Sequence, residues 1–554
     1  MFLILLILQL CGSTYASTDF AGCLERLQNQ EFGQVVEGAV DVNGYSVSNI
    51  TLAVGLTYSA CMNLCGSGHE TFDKNLFSQL LAAWFLPWLA LISQLPYGGN
   101  DALKIFQSML LTVGSPMLAA YSLALAVNGN RWMVERFKRS IGSNHPKSFA
   151  AAKIMSSLQQ VLVSLPKDKD KLVLRSLVVV LRENDEWWRR LANGLDYYSS
   201  SQWTLAAVMS MVYVGLAYIL TWMNTLNSNS NQAYPSGQSL GSLWLALLPL
   251  VVCYLQLSPK TDSDRINAAL EHVSEVCFTA EEEGKPKQCR SPQIITIQSE
   301  NRNMVDEDRI CPTPVCFYTR FYTWFWTALQ LSAAFDLASQ RASTGRPVPR
   351  TRPEVIEYFS TDSEADNTHY YDLVNIYVKS AMLAIFLQWG TTGAAIMAMY
   401  LTPTKGMFGL SFWFSTALWM LVNSDLALLA SQNKRKIIGG FAIALRQTGK
   451  LLAAVNTAWI FTSTFLQFTN AESNCYCQTS ALGLGSKAYG SLVYTPEQED
   501  AAKLYWAGGI IMASGTALAF IIAINILMKQ PIARTRVIHG GYEYIPLTPQ
   551  STSS

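Results

Sequence analysis

The chain has 554 residues, half of them hydrophobic and 14% charged, with a formal net charge of +1. A soluble globular protein carries about a quarter of its residues as Asp, Glu, Lys and Arg, so this composition, with a mean hydropathy of +0.18, points to a membrane. The near-neutral balance excludes the broad basic surface that nucleic-acid binding needs.

The first element is an apolar run from Phe2 to Leu10. It is too short to span a bilayer, which takes about 20 apolar residues. Small residues follow it, with Ala16 at a cleavage position, so 1–16 reads as a secretory signal peptide without the usual basic opening. Residues 17–75 then form an extracytoplasmic cap. Apolar and polar positions alternate there around Asn43-Gly44, a hairpin turn pair, which predicts a β-hairpin. Asn49-Ile50-Thr51 is the one N-glycosylation sequon in the chain.

Apolar runs of helical span length occupy 76–95, 105–127, 203–223, 239–257, 378–401, 408–430, 451–468 and 504–527. Pro87 and Pro116 lie inside the first two and should bend them. Residues 320–338 are a weaker ninth, interrupted by Gln330 and Asp336. Loops 339–377 and 431–450 and the tail 529–554 open on clustered Lys and Arg and read as cytoplasmic. Loop 128–202 holds 13 basic against 7 acidic residues and argues for eight spans with that loop inside. The cysteines argue for nine. Cys23, Cys61, Cys65, Cys277, Cys289, Cys311, Cys316, Cys475 and Cys477 all fall outside in that order, where disulfides persist. Loop 258–319 is acidic, 11 against 7, which also suits the outside. The expected fold is therefore an all-α polytopic bundle of about nine helices, eight being the alternative, under a small cap. The mature N-terminus lies outside and the C-terminus in the cytoplasm.

The cysteine spacings at 61/65 and 475/477 lack the paired halves and histidines of a zinc site, so disulfides are expected instead, with Cys23 pinned to Cys61 or Cys65. No phosphate loop, nucleophile elbow, zinc-protease or dinucleotide motif is present, and no cofactor is implied.

Loop 128–202 ends in "RENDEWWRRL", 182–191. Asn184 is placed to cap a helix over 184–198 with Asp185 and Glu186 in its first turn. Asp185–Arg189 and Glu186–Arg190 are i,i+4 pairs. Trp187 and Trp188 then lie on or beside an apolar face, as in a helix lying flat at the lipid headgroups.

Ionisable groups inside spans mark function. Asp336 in 320–338 and Asp425 in 408–430 are candidates for a proton or cation relay, with Gln388, Asn423 and Asn456 as polar support. Neither carries the motif of an aspartyl intramembrane protease. In the tail, Tyr542-x-x-Ile545 and Tyr544-x-x-Leu547 fit the form read by sorting adaptors.

The stretches "PWLALISQLPYG" (87–98), "LLTVGSPMLAAYSLAL" (110–125), "ENDEWW" (183–188) and "GSLWLALLP" (241–249) resemble a family of uncharacterised multi-pass integral membrane proteins of filamentous fungi. The resemblance covers roughly 55–260. It implies a fungal membrane protein and carries over no activity, substrate or catalytic residue. The function expected from the sequence is a non-enzymatic sensor or scaffold in a membrane of the secretory pathway, its partners the lipid bilayer and a sorting adaptor, its oligomeric state open. The alternative is a secondary transporter or channel using Asp336 and Asp425.

Overall fold

In the computed structural model the chain is mostly helical, with small two- and three-stranded sheets. The structure describes most of 19–95, then 102–140, 146–159, 163–164, 172–197, 203–227, 244–257, parts of 266–288, 296–297, 317–359, 368–398, 436–469, 474–475, 489–491, 496–528, 535–538 and 541–544. The leader 1–16, the run 408–430, and Cys289, Cys311, Cys316, Cys477, Asn423 and Asp425 lie outside these residues.

The cap is built from local signals closed by distant ones. Helix α1 (Phe20–Gln28) starts where the Asp19 carboxylate accepts the Gly22 N–H at 2.7 Å. Strand β1 (Ala39–Val40) leads into the Asn43-Gly44 turn. There Gly44 takes φ 77°, and Asp41 Oδ1 accepts the amides of Asn43 and Tyr45. Val47 N–H donates back to Ala39 O, so the expected hairpin turn is present. Strand β2 (Gly55–Thr57) runs into helix α2 (Tyr58–Cys65), capped by Thr57. The sheet order is β1-β2-β7, all antiparallel, and β7 is Tyr489–Ser491 from the far end of the chain. Disulfides Cys23–Cys65 and Cys61–Cys475 close the cap onto itself and onto that distant segment.

Next come a π-turn (Leu81–Phe85) and a short helix α3 (Leu86–Ser93). Phe77 and Ser78 ahead of them are helical as well, and residues 75, 76, 79 and 80 of this run lie outside the described residues. Helix α4 (Ala102–Gly114) and helix α5 (Pro116–Ser140) meet at Ser115 with a bend of 104°. The kink expected at Pro116 is thus a break, because proline has no N–H to continue α4 and is well suited to begin a new helix.

Among the described residues, three helices hold stretches long and apolar enough to cross a membrane. They are α9 (Leu205–Asn227), α13 (Thr368–Ala398) and α15 (Pro496–Met528), with the stretches at Leu205–Met223, His369–Ala395 and Lys503–Met528. The broken pair α4–α5 passes the same test if counted as one. Helix α10 (Leu247–Leu257) is apolar but shorter, and helix α14 (Lys436–Phe468) contains the predicted 451–468 run. Helix α13 runs antiparallel to α5, with Trp132 beside Asp372 and Asn128 beside Ser380. It is also antiparallel to α15, where Gly390 fits against Thr516 and Gly508 against Met397.

Between α5 and α13 in sequence lies a helical body. It comprises α6 (Pro146–Ser157), the pair β3 (Val163–Ser164) and β6 (Thr296–Ile297), α7 (Leu172–Arg175), a π-turn (Ser176–Val180), α8 (Asp185–Tyr197), the pair β4 (Phe278–Thr279) and β5 (Lys287–Gln288), α11 (Phe317–Ser343) and α12 (Arg352–Phe359). Helix α11 contains the predicted span 320–338 but is wrapped by protein. Phe317, Phe321, Trp324, Phe325 and Ala328 are all fully buried. Trp324 Nε1 donates to Met155 O at 2.9 Å, and Trp132 stacks on Phe325. The segments flanking α11 also touch each other, Arg352 N–H donating to Glu281 O at 3.2 Å. A helix whose two flanks meet does not divide them between two sides of a membrane, so 320–338 is corrected from a span to a core helix of the body.

Candidate functional site

The cassette at 182–191 lies at the centre of the body. Asn184 is fully buried. Its Nδ2 donates to Ser176 O at 3.0 Å and Phe278 O at 2.9 Å, and its Oδ1 accepts Phe278 N–H at 2.9 Å. One carboxamide thus satisfies the edge of β4 as a neighbouring strand would, and ties it to the π-turn. Ala280 N–H, donating to Ser176 Oγ at 3.3 Å, adds a second tie. The side chain expected to cap α8 is used across the fold instead.

Trp187 and Trp188 are each 2% exposed. They meet edge to face at 4.8 Å, and Trp188 also approaches Phe335 of α11 at 5.9 Å. The Trp188 Nε1 donates to Leu177 O at 2.9 Å. Their interfacial placement is therefore corrected: the aromatic face of α8 packs into protein, and the indole N–H finds a backbone carbonyl as a buried tryptophan requires. The charges are paired along the outer face. Glu186 binds Arg189 at 2.6 Å and Arg190 at 2.7 Å, so the second expected pair forms. These contacts, Arg189 first, hold the Glu186 carboxyl at about 2, well below its ordinary 4.5. The expected Asp185–Arg189 pair is replaced, because Asp185 binds Lys147 of α6. Asp185 and Glu186 are thus both held by basic partners, with Glu183 exposed beside them.

Asp336 sits where α5, α11 and α13 meet. Its carboxylate is 3.9 Å from the Arg136 guanidinium. Arg136 also donates to Ser332 Oγ at 2.9 Å and approaches His369 Nδ1 at 3.5 Å, while Trp132 Nε1 donates to Asp372 at 3.1 Å. His369 and Asp372 belong to the first turns of α13, so the cluster lies at an end of the long helices, half-exposed. The supporting groups of the expected relay are placed elsewhere. Gln388 is buried within α13, and Asn456 serves the α4–α5 break.

At that break the last carbonyls of α4 are satisfied from α14. Thr457 Oγ1 donates to Leu110 O at 2.6 Å and Asn456 Nδ2 to Gly114 O at 3.2 Å. A Cβ on Gly114 would collide with Ala453 O, so glycine alone lets the two backbones approach this closely. Nothing but Asn456's polarity inside an apolar run hinted at this in the sequence.

Of the remaining site residues, Asn49 is exposed on the cap, preceding a 3₁₀ turn. Cys277 is fully buried, its sulfur 3.9 Å from Phe278 O. Tyr542 and Tyr544 fall in β9 (Gly541–Tyr544), which pairs with β8 (Thr535–Ile538). Among the described residues no group of three His, Cys, Asp or Glu is placed to hold a metal ion. No family model matches the chain, and neither a curated protein nor a solved structure is similar to it.

Proposed function

We propose that this chain is a multi-pass membrane protein acting as a sensor or scaffold, with an extracytoplasmic disulfide-stapled cap and a cytoplasmic helical body. Helix α9 carries the membrane placement. Leu205, Met209, Val212, Leu216, Ile219 and Met223 are exposed along it, with exposed Trp203 and Trp222 at its two ends. At 1.5 Å per residue these tryptophans stand about 28 Å apart, close to the roughly 30 Å hydrocarbon core whose borders favour tryptophan.

Following the chain from the cap, the crossings are α4–α5 as one broken span, α9, α10, α13, the run 408–430, α14 and α15. That makes seven in place of nine: a cap outside and a basic 128–202 loop inside require an odd number of crossings between them, taken as α4–α5 alone with 76–95 left on the cap's side, and α11 belongs to the body. An odd number still sets cap and tail on opposite sides. This order supplies what eight and nine spans could not supply together. The basic 128–202 loop lies in the cytoplasm, as its charge demands, while Cys61, Cys475 and Asn49 lie outside. The placement of 258–319 outside is given up, because Phe278 and Glu281 bond to residues of the body.

A sensor or scaffold is favoured over a carrier because Asp336 is paired with Arg136 near the helix ends rather than standing in the middle of the bundle. The tail hairpin holds Tyr542 and Tyr544 in an extended strand, the conformation in which short peptide motifs add to a partner's sheet, and this supports a sorting adaptor as partner. The likeness to fungal membrane proteins fits the same class. A glycosylation map tests the proposal. Asn49 is expected to be modified and a sequon engineered into 141–145 to stay bare. Modification of the engineered site would overturn the seven-crossing order. Proton flux in proteoliposomes that is lost in Asp336→Asn would overturn the sensor reading in favour of transport.

A further inference from the structure

The link from α11 to α12 is pinned at both ends and bare between them. At its start α11 stops in a Schellman turn. Gly345 takes φ 69° and donates to Ala342 O at 3.1 Å, and Arg346 N–H donates to Arg341 O at 3.3 Å. At its end the Glu354 carboxylate accepts the amide of Arg350 at 3.0 Å, and Arg352 N–H is held by Glu281 O. Residues 346–350, Arg-Pro-Val-Pro-Arg, belong to no helix or strand. Proline fixes its own φ near −65° and drives the residue before it to the extended region. Covalent geometry alone therefore holds 346–349 towards a polyproline II conformation, which leaves its backbone open to a partner. Pro349 is buried, while Arg346, Pro347 and Arg350 are exposed and Val348 is 54% exposed.

Charge and position narrow what can bind. Residues 341–353 hold four arginines and no acid. Helix α11 runs parallel to α5, with Phe321 against Gly129 and Phe335 near Phe137. Phe321 also meets Tyr377 of α13, next to Val378, where the exposed aliphatic side chains of that helix begin. From Phe321 to Ser343 helix α11 extends about 33 Å at 1.5 Å per residue. That is several times the Debye length of about 8 Å, so these arginines do not face a lipid surface.

We propose that residues 346–350 are a docking strap for a soluble proline-recognising domain whose aromatic-lined groove carries an acidic rim. Such grooves take a preformed polyproline II segment because little chain entropy is lost on binding. Pro347 and Val348 fill the groove, and Arg346 and Arg350 pair with the rim. The inference rests on the scaffold reading and its cytoplasmic body, and supplies that scaffold with a partner distinct from the sorting adaptor at the tail.

The test measures binding of the full chain, purified in detergent, to a panel of isolated SH3 and WW domains with acidic or neutral groove rims, by biolayer interferometry. Binding on the purified chain is read whichever side the body occupies, so its failure is separate from a failed glycosylation map. Acidic-rimmed members are expected to bind with micromolar affinity that weakens as salt rises, and neutral-rimmed ones at least tenfold less tightly. Pro347→Ala and Arg346→Glu are each expected to weaken binding tenfold or more. Val348→Asp reads the same groove if Pro347→Ala disturbs the strap. Arg182→Glu, an equal charge change at an exposed position of the body, keeps full binding. Absence of binding to every acidic-rimmed domain would overturn the proposal. An equal loss in Arg182→Glu and Arg346→Glu would reduce the contact to general charge attraction and also overturn it. Full binding in both Pro347→Ala and Val348→Asp would do the same, leaving an acidic surface that does not read the prolines.

Discussion

Asn184→Ala is the most searching perturbation of the body. The side chain makes three hydrogen bonds, two given to Ser176 O and Phe278 O and one taken from Phe278 N–H, all at 2.9–3.0 Å. A buried bond contributes about 1 kcal/mol net, and an orphaned buried partner costs about 1–3 kcal/mol. The three together put the loss at about 3 kcal/mol or more, near the top of what single substitutions do. Alanine also leaves the 278–280 segment attached chiefly through the Ser176–Ala280 bond. The local effect should therefore exceed the global one. Hydrogen exchange read by mass spectrometry on the detergent-solubilised chain is expected to show the Phe278 amide exchanging about a hundredfold faster, 1.4 kcal/mol being a factor of ten. Asn184→Asp, nearly the same shape, should be at least as damaging, because it sets a carboxylate against the carbonyls of Ser176 and Phe278. Unchanged protection of Phe278 in the alanine variant, with an unfolding midpoint within about 0.5 kcal/mol of wild type, would refute the account of Asn184 as the tie between β4 and the π-turn.

Three further outcomes are expected. Trp188→Phe keeps most of the ring packing but loses the bond to Leu177 O, and should cost about 1–2 kcal/mol in chemical denaturation; an effect below about 0.5 kcal/mol would place the indole N–H in solvent. Because the Glu186 carboxyl is depressed to about 2, its contribution is complete above its ordinary 4.5 and fades as pH falls from there towards 2. The pairs are exposed and contribute only a few tenths of a kcal/mol each, so Glu186→Gln should flatten a shallow acid-side slope and change little at pH 7. A protease site inserted in 399–435 should yield one band without reductant and two with it, since Cys61–Cys475 bridges the cut; Cys61→Ser should give two bands in both and lower stability by about 2–4 kcal/mol.

What the sequence disclosed was local. The Asn43-Gly44 turn and the Glu186–Arg190 pair were legible because turn geometry and helical spacing fix them within a few residues. The partners of Asn184 at Phe278 are 94 residues away and left no trace in spacing. Asp185 found Lys147 on another helix for the same reason. The burial of Trp187 and Trp188 was hidden by a real degeneracy: an aromatic, apolar helix face suits a headgroup layer and a protein core equally well, and only the neighbours decide. The crossing order failed at α11 because hydropathy counts side chains without asking what covers them. The α4–α5 break was legible at Pro116, but not the donors from α14 that make it tolerable.

The bond between Cys61 and Cys475 joins positions 414 residues apart, and β2 likewise waits for β7. A ribosome adding about 5–20 residues per second needs roughly 20–80 s to make that intervening chain. Through that interval the cap stays unfinished, its sheet one strand short and one of its thiols exposed to oxidants and wrong partners. The cap is thus begun long before it can be completed, and its closure reports that all of the chain between its two halves has already been made.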